Sequence, residues 1–190
     1  MTVLRLRGER VILRDLTESD IRKIYFHYYE AEDQEFQRWD GPYEPLEELS
    51  YEQFAGKYQG ALALAGTDEP RNRLIIEIDG ELKGTVGRYW VSEATNWFEI
   101  GIVIFDSRYW SGGYGTEAFK MWMAYLFDSL DTVRLGIGTW SGNVRMMGLA
   151  AKCGMVEEAR VRKARIVRGE HYDAIKMGIL REEWEPAGRQ

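Results

Sequence analysis

Arg108-Tyr-Trp-Ser-Gly-Gly-Tyr-Gly-Thr-Glu-Ala118 is the stretch on which the reading of this chain turns. An apolar run, Trp97 to Phe105, precedes it, and an amphipathic segment from about Thr116 to Leu130 comes after it. The order is strand, glycine-rich turn, helix. Glycines let backbone N–H groups approach a ligand closely. A helix start adds unpaired N–H donors and a partial positive charge. Together they make an anion site, most often for phosphate.

Outward from this turn, the elements alternate in a mixed pattern. Residues 9–16 read as a strand, and Thr17-Glu-Ser-Asp20 as the start of a helix, with Thr17 capping and Asp20 at the positive end. Ile21, Ile24, Tyr25 and Tyr28 continue it at helical spacing. Gly41-Pro-Tyr43 is a turn, and a second helix is expected over Leu46 to Ala65. Residues 73–78 read as a strand, Asp79-Gly80 as a hairpin turn, and Glu81 to Val91 as the return strand. With 97–105 these form a meander. Phe119, Trp122, Met123, Leu126, Phe127 and Leu130 make a helical stripe of core type. Val133 to Trp140 is a strand, Asn143 caps a short helix that Gly154 ends, and strands at about 155–168 and 170–180 close the chain. The pattern predicts a single α+β domain over residues 1–190.

Bulk properties exclude several classes. A chain of 190 residues with 45% hydrophobic residues can fill a substantial core. No stretch approaches the roughly 18 apolar residues of a membrane span, and the first residues lack the apolar middle of a signal peptide. One cysteine, Cys153, precludes an internal disulfide and fits a reducing cytoplasm. Two histidines, His27 and His171, without a Cys/His cluster, argue against a metal. The formal charge of −6 disfavours nucleic acid. Acidic residues gather from Glu30 to Glu52, and basic ones at Arg160, Arg162, Lys163, Arg165 and Arg168. Each cluster reads best as a solvated face, with attraction of a cationic acceptor the second reading of the acidic one.

Three phosphate motifs compete for the glycine turn, beside an ordinary turn that merely uses glycine. A P-loop needs Lys-Ser or Lys-Thr after its glycines, and neither is present. Gly113-Tyr-Gly115-Thr-Glu-Ala118 matches the dinucleotide fingerprint, but seven residues separate it from Phe105, where that fingerprint sits directly after its strand. The third pattern, [QR]-x-x-G-x-[GA], covers the most chain. With it go Ser141-Gly-Asn143-Val-Arg running into Ala151-Lys-Cys-Gly154-Met, the closing Arg168-Gly-Glu-His-Tyr172-Asp, and the opening Arg10-Val-Ile-Leu-Arg-Asp. In these features the sequence resembles the GNAT superfamily of N-acetyltransferases, in its ribosomal-protein and spermidine acetyltransferase-like branch. Trp110 departs from the pattern, standing where the family usually has Gln or Arg.

The resemblance implies a mainly antiparallel sheet of about six to seven strands with helices on both faces. It implies acetyl-CoA as co-substrate and direct transfer to a primary amine, on a small molecule or a protein N-terminus, in a cytoplasmic enzyme that is a possible homodimer. Backbone amides of Ser111, Gly112, Gly113, Tyr114, Gly115 and Thr116 would hold the diphosphate, and backbone groups of Ile102, Val103 and Ile104 the pantetheine arm. Asn143 would hydrogen-bond the cofactor as well as cap its helix. Arg145 is either a phosphate contact or an exposed helix charge.

Transfer also needs a proton acceptor for the amine and donors for the thioester oxyanion. Glu99, inside an apolar run and at the spacing of the base in histone-acetylating relatives, is the preferred acceptor, its alternative being a polar-paired strand residue. Partial burial would raise its pKa. The tyrosine or serine that serves relatives as acid is replaced here by Ala150 or Met146. Ser141, Tyr114 and Tyr172 are the substitutes, or the thiolate leaves unassisted. Trp39, Asp40 and Tyr43 are expected at the acceptor end, Asp40 meeting a cation. A catalytically weak, CoA-binding regulatory module of the same fold is the alternative function.

Overall fold

A computed structural model describes residues 3–187. Its strands are β1 (Arg5–Arg7), β2 (Ile12–Arg14), β3 (Arg73–Ile78), β4 (Glu81–Ser92), β5 (Trp97–Ile104), β6 (Arg134–Trp140), β7 (Val156–Val167) and β8 (Glu170–Leu180). Its helices are α1 (Glu18–Tyr29), α2 (Tyr51–Gly56), α3 (Gln59–Leu64), α4 (Tyr114–Ser129), α5 (Val144–Lys152) and α6 (Arg181–Ala187). The eight strands form one sheet in the order β1-β2-β3-β4-β5-β6-β8-β7. β5 pairs with β6 in parallel, registered at Glu99 opposite Gly136, whereas β1–β2, β2–β3, β3–β4, β6–β8 and β7–β8 are antiparallel. A parallel pair needs a long crossover, which α4 supplies.

The α+β class agrees with the sequence reading, with one strand more than expected. Residues 9–16 are not one strand. Gly8 N–H donates to the Val11 carbonyl at 2.8 Å and folds Arg5–Arg7 back onto Ile12–Arg14. Three residues with charge at alternate positions carry too little apolar pattern to announce β1. The expected helix over Leu46 to Ala65 is two short ones. Ser50 and Gln53 cap each other's backbone amides and start α2 at Tyr51, and Gly56 and Gly60 weaken a continuous helix beyond it. The hairpin turns fall where the sequence places them. Asp79 and Gly80 (φ 53° and 78°) and Arg168 and Gly169 (φ 52° and 83°) are successive left-handed residues, the geometry that matches strand twist.

The chain divides into two compact units. One gathers the chain up to Phe36 with Leu46–Gly87 and Ile102–Trp122. Its core holds Leu16, Ile21, Ile24, Phe36, Phe54 and Phe105, with the rings of Phe36 and Phe105 edge to face at 5.1 Å. The other gathers Gln37–Pro45, Arg88–Gly101 and the chain from Met123 onward. It buries Phe98 and Ile100 of β5, Leu135 and Ile137 of β6, Ile175, Met177 and Ile179 of β8, and Cys153. Here Arg181 donates to the carbonyls of Phe127, Leu130 and Thr132 at 2.6–2.8 Å, satisfying orphan groups at the end of α4.

The first unit also buries an ion pair. Asp15 accepts from Arg71 Nε (2.7 Å) and Nη2 (3.2 Å) and from the amides of Leu4 (2.9 Å) and Gly66 (3.0 Å). Burial alone would raise the Asp15 pKa, but the Arg71 guanidinium and the two amides outweigh it and hold the carboxyl below its usual range. The folded-state pKa is therefore the lower one. The stabilisation is complete above about pH 4 and disappears as pH falls through the folded value. Arg71→Met leaves a buried carboxylate without its cation. It should cost about 3–5 kcal/mol in urea unfolding at neutral pH, and the cost should shrink on acidification.

Candidate active site

The glycine turn belongs to the first unit. Trp110 does not face it as a Gln or Arg would, because its indole Nε1 donates to the Ile104 carbonyl at 2.9 Å. Ser111 (φ 62°) and Gly113 (φ 86°) are left-handed, and such backbone turns its amides to one side. The Gly113 carbonyl accepts from Glu117 N–H at 3.0 Å, so the amides of Tyr114, Gly115 and Thr116 precede the first bond of α4. These donors, with the helix dipole, fit a diphosphate. Glu117 does not oppose an anion there. Its Oε1 accepts from the backbone amides of Arg10 (2.9 Å) and Val11 (3.1 Å) and is turned back onto them. Upstream, a Cβ at Gly84 would collide with the Val103 carbonyl, so β4 needs glycine to approach β5.

The buried carboxylate Glu99 belongs to the second unit. Glu99 is 3% exposed. Its Oε1 accepts from Lys176 Nζ at 2.6 Å and its Oε2 from the Tyr89 hydroxyl at 2.8 Å. Gly138 makes the room. A Cβ there would stand 2.8 Å from Lys176 Nζ and 2.9 Å from Glu99 Oε2. Three strands thus assemble one cluster, with Glu99 on β5, Gly138 on β6 and Lys176 facing it in register on β8. Desolvation of the phenol end, then the Glu99 charge and the hydrogen bond to it, push the Tyr89 pKa above the tyrosine range, although the residue as a whole is 53% exposed. Tyr43 and Asp40 add smaller contributions of the same sign, so the predicted acceptor turn shares this electrostatic neighbourhood.

Asn143 caps α5 as expected, its Oδ1 accepting from Met146 N–H at 3.1 Å. Its Nδ2 donates to the Trp39 carbonyl at 3.0 Å, and Trp140 Nε1 donates to the same carbonyl at 3.0 Å. The Arg145 guanidinium lies over the Trp39 ring at 5.3 Å. Trp39 Nε1 is buried without a hydrogen-bond partner, a costly state that an acceptor from outside the protein would relieve. Ser141 Oγ accepts from Asp173 N–H at 2.9 Å, and Tyr172 packs edge-on against Trp140 at 4.7 Å. Arg165 covers the Tyr43 ring at 4.2 Å.

The acidic segment is no single surface. Asp33 accepts from Ser107 N–H and Oγ at 2.9 and 2.8 Å, Glu30 pairs with Arg22, and Glu47 with Lys57. Among the described residues no group of His, Cys, Asp or Glu could hold a metal ion, and no helix is long and apolar enough to cross a membrane. Sequence reasoning passes over Tyr89, Gly138, Lys176 and Arg10. The in-register β6–β8 pairing is the only signal that could have joined Lys176 to Glu99.

A mainly antiparallel sheet with one parallel pair, β5 and β6, joined through a glycine turn and a helix, is the frame in which the chain is compared with known acyl-CoA-dependent transferases. The model of the acetyltransferase (GNAT) domain matches residues 10–156, and the chain belongs to that family. Spermidine N(1)-acetyltransferase of Escherichia coli K12 is 26% identical over 175 residues, covering 92% of this chain and 88% of its own. The Bacillus subtilis protein named "Putative ribosomal N-acetyltransferase YdaF" is 28% identical over 107 residues, covering 56% of this chain and 58% of its own. The fold is also that of Vibrio cholerae spermidine N-acetyltransferase, solved with CoA and spermine. Its TM-score is 0.75 at 20% identity, over 94% of this chain and 99% of that one. Family membership makes N-acetyl transfer from acetyl-CoA to an amine the reaction of this enzyme.

The Tyr89 environment has a direct readout. With ring-labelled tyrosine, the Tyr89 resonance should stay that of a neutral phenol at pH values where ordinary tyrosines, with pKa about 10, are half ionised. In Glu99→Gln its midpoint should move down toward the ordinary value, since the neighbouring charge is removed.

Proposed function

We propose that this enzyme, as one catalytic domain, acetylates the primary amine of a small cationic molecule, with Glu99 accepting the proton that the amine must lose. The observation that carries the reading is the buried Glu99 carboxylate already holding one primary ammonium, that of Lys176, at 2.6 Å. An acceptor amine is the same chemical group. Asp40 supports a cationic acceptor over a protein N-terminus, as do the spermidine-acetylating relatives.

Each group has its own task. Amides from Ser111 to Thr116 bind the diphosphate of acetyl-CoA, and backbone groups of Ile102 to Ile104 align its pantetheine arm. The Ile104 carbonyl does so while accepting from Trp110. Asn143, Arg145 and the unpartnered Trp39 Nε1 supply further donors. The bound co-substrate supplies an activated acetyl thioester. Glu99 takes the amine proton, and Lys176 balances the carboxylate charge. Tyr89 orients Glu99 through its hydroxyl. Ser141 and Tyr172 remain as donors, and a thiolate can also leave unassisted. The reading places the enzyme in the cytoplasm, where acetyl-CoA is made and a reduced Cys153 belongs. A homodimer is supported by β7, an outermost strand with Val156, Val161 and Ile166 exposed.

Thiol release from acetyl-CoA over a panel of polyamines, other small amines and N-terminal peptides tests the reading. Polyamines should turn over fastest. Glu99→Gln should lower kcat by roughly 10²- to 10⁴-fold while CoA affinity in calorimetry stays the same. Unchanged turnover removes Glu99 from the role. CoA binding without turnover of any amine would instead identify a CoA-binding module.

A further inference from the structure

We infer that Arg10, far from the glycine turn in sequence, supplies the cation that the turn itself lacks, and binds the diphosphate of acetyl-CoA. The inference rests on the reading that residues 111–116 form the diphosphate cradle. In that cradle Trp110 has no charge, and its indole is committed to the Ile104 carbonyl. Arg10 stands over the turn instead. Its Nη1 donates to the Gly112 carbonyl at 2.8 Å, and its guanidinium stacks on the Tyr114 ring at 4.6 Å. Its Nη2 makes no hydrogen bond among the described residues and lies 2.8 Å from where a Cβ at Gly113 would be. A side chain at 113 would push the flexible guanidinium aside and would strain a left-handed backbone.

Position and charge are secured separately. Glu117 holds the Arg10 and Val11 amides through Oε1, which fixes the backbone from which the side chain springs. The guanidinium itself is only loosely paired, with Nε 3.5 Å from Glu117 Oε2 and nearly half of the side chain exposed. An exposed pair of this kind is worth little. Exchanging it, and the neutral Gly112 carbonyl, for a doubly charged diphosphate is favourable, because charge-assisted forked contacts to phosphate are stronger. Arg10 is thus a binding residue for the co-substrate, and Glu117 a positioning residue that acts through it.

Calorimetric titration with CoA, at low and high salt, compares wild type with Arg10→Ala, Arg10→Lys and Gly113→Val. Arg10→Ala should lose roughly ten- to a hundredfold in affinity. The loss should shrink at high salt, and Arg10→Lys should recover part of it. Wild-type affinity in Arg10→Ala, with Gly113→Val weakened, would overturn the inference and leave the cradle standing. Wild-type affinity in both would overturn the cradle as well. A loss in Arg10→Ala that is equal at low and high salt would mark a packing defect and equally overturn the role of Arg10. Urea midpoints of the variants separate a failure to fold from a failure to bind.

Discussion

One strand in this protein does the work of several elements, and the constraint behind it is parallel pairing. β5 runs parallel to β6, registered at Glu99 and Gly136. Two parallel strands cannot be joined by a tight turn, so the chain must leave β5, cross over through a helix and return. The glycine turn and α4 are that crossover. Glu99, the Ile102–Ile104 backbone and the helix N-terminus succeed one another along a single segment for this reason. Had β5 and β6 been antiparallel, a hairpin would have sufficed, and no helix start would come after the strand.

Two ion pairs show how the same chemistry is put to different uses. Asp15 and Arg71 are both almost wholly buried, and Asp15 is saturated by amide donors as well. Nothing in that arrangement can exchange, and its role is to join the strand region near Leu4 to the loop near Gly66. Glu99 is as buried as Asp15, but its partner Lys176 is about half exposed. A carboxylate fixed on one side and wet on the other can change partners without unfolding anything.

Much of this is legible in the sequence, because its signals are local. Thr17 with Asp20, Asp79-Gly80, Asn143 with Gly154, and the stripe from Phe119 to Phe127 are set by spacing within one element, and each can be read at its place. The glycine turn is legible for the same reason. The misses arise where distant residues decide. β1 exists through pairing with β2 and the Arg5–Glu77 contact, not through its own three residues. Tyr89, Gly138 and Lys176 converge on Glu99 across neighbouring strands, and a period of two cannot tell which positions of separate strands face each other. Arg10 meets Gly112 by way of a hairpin too short to announce itself. The break of the 46–65 segment into two helices is local, and Gly56 and Gly60 are its available signal.

The burial of Cys153 has a meaning beyond the core. Each acetyl transfer releases CoA as a free thiol, and thiols exchange readily with accessible cysteines once an oxidant is present. This chain has one cysteine, and it is 4% exposed. Mixed disulfides form by attack at an accessible sulfur, so the enzyme offers its own product no sulfur to capture. Oxidative conditions that convert CoA to its disulfide would deplete the co-substrate pool while the buried Cys153 stays out of mixed-disulfide exchange.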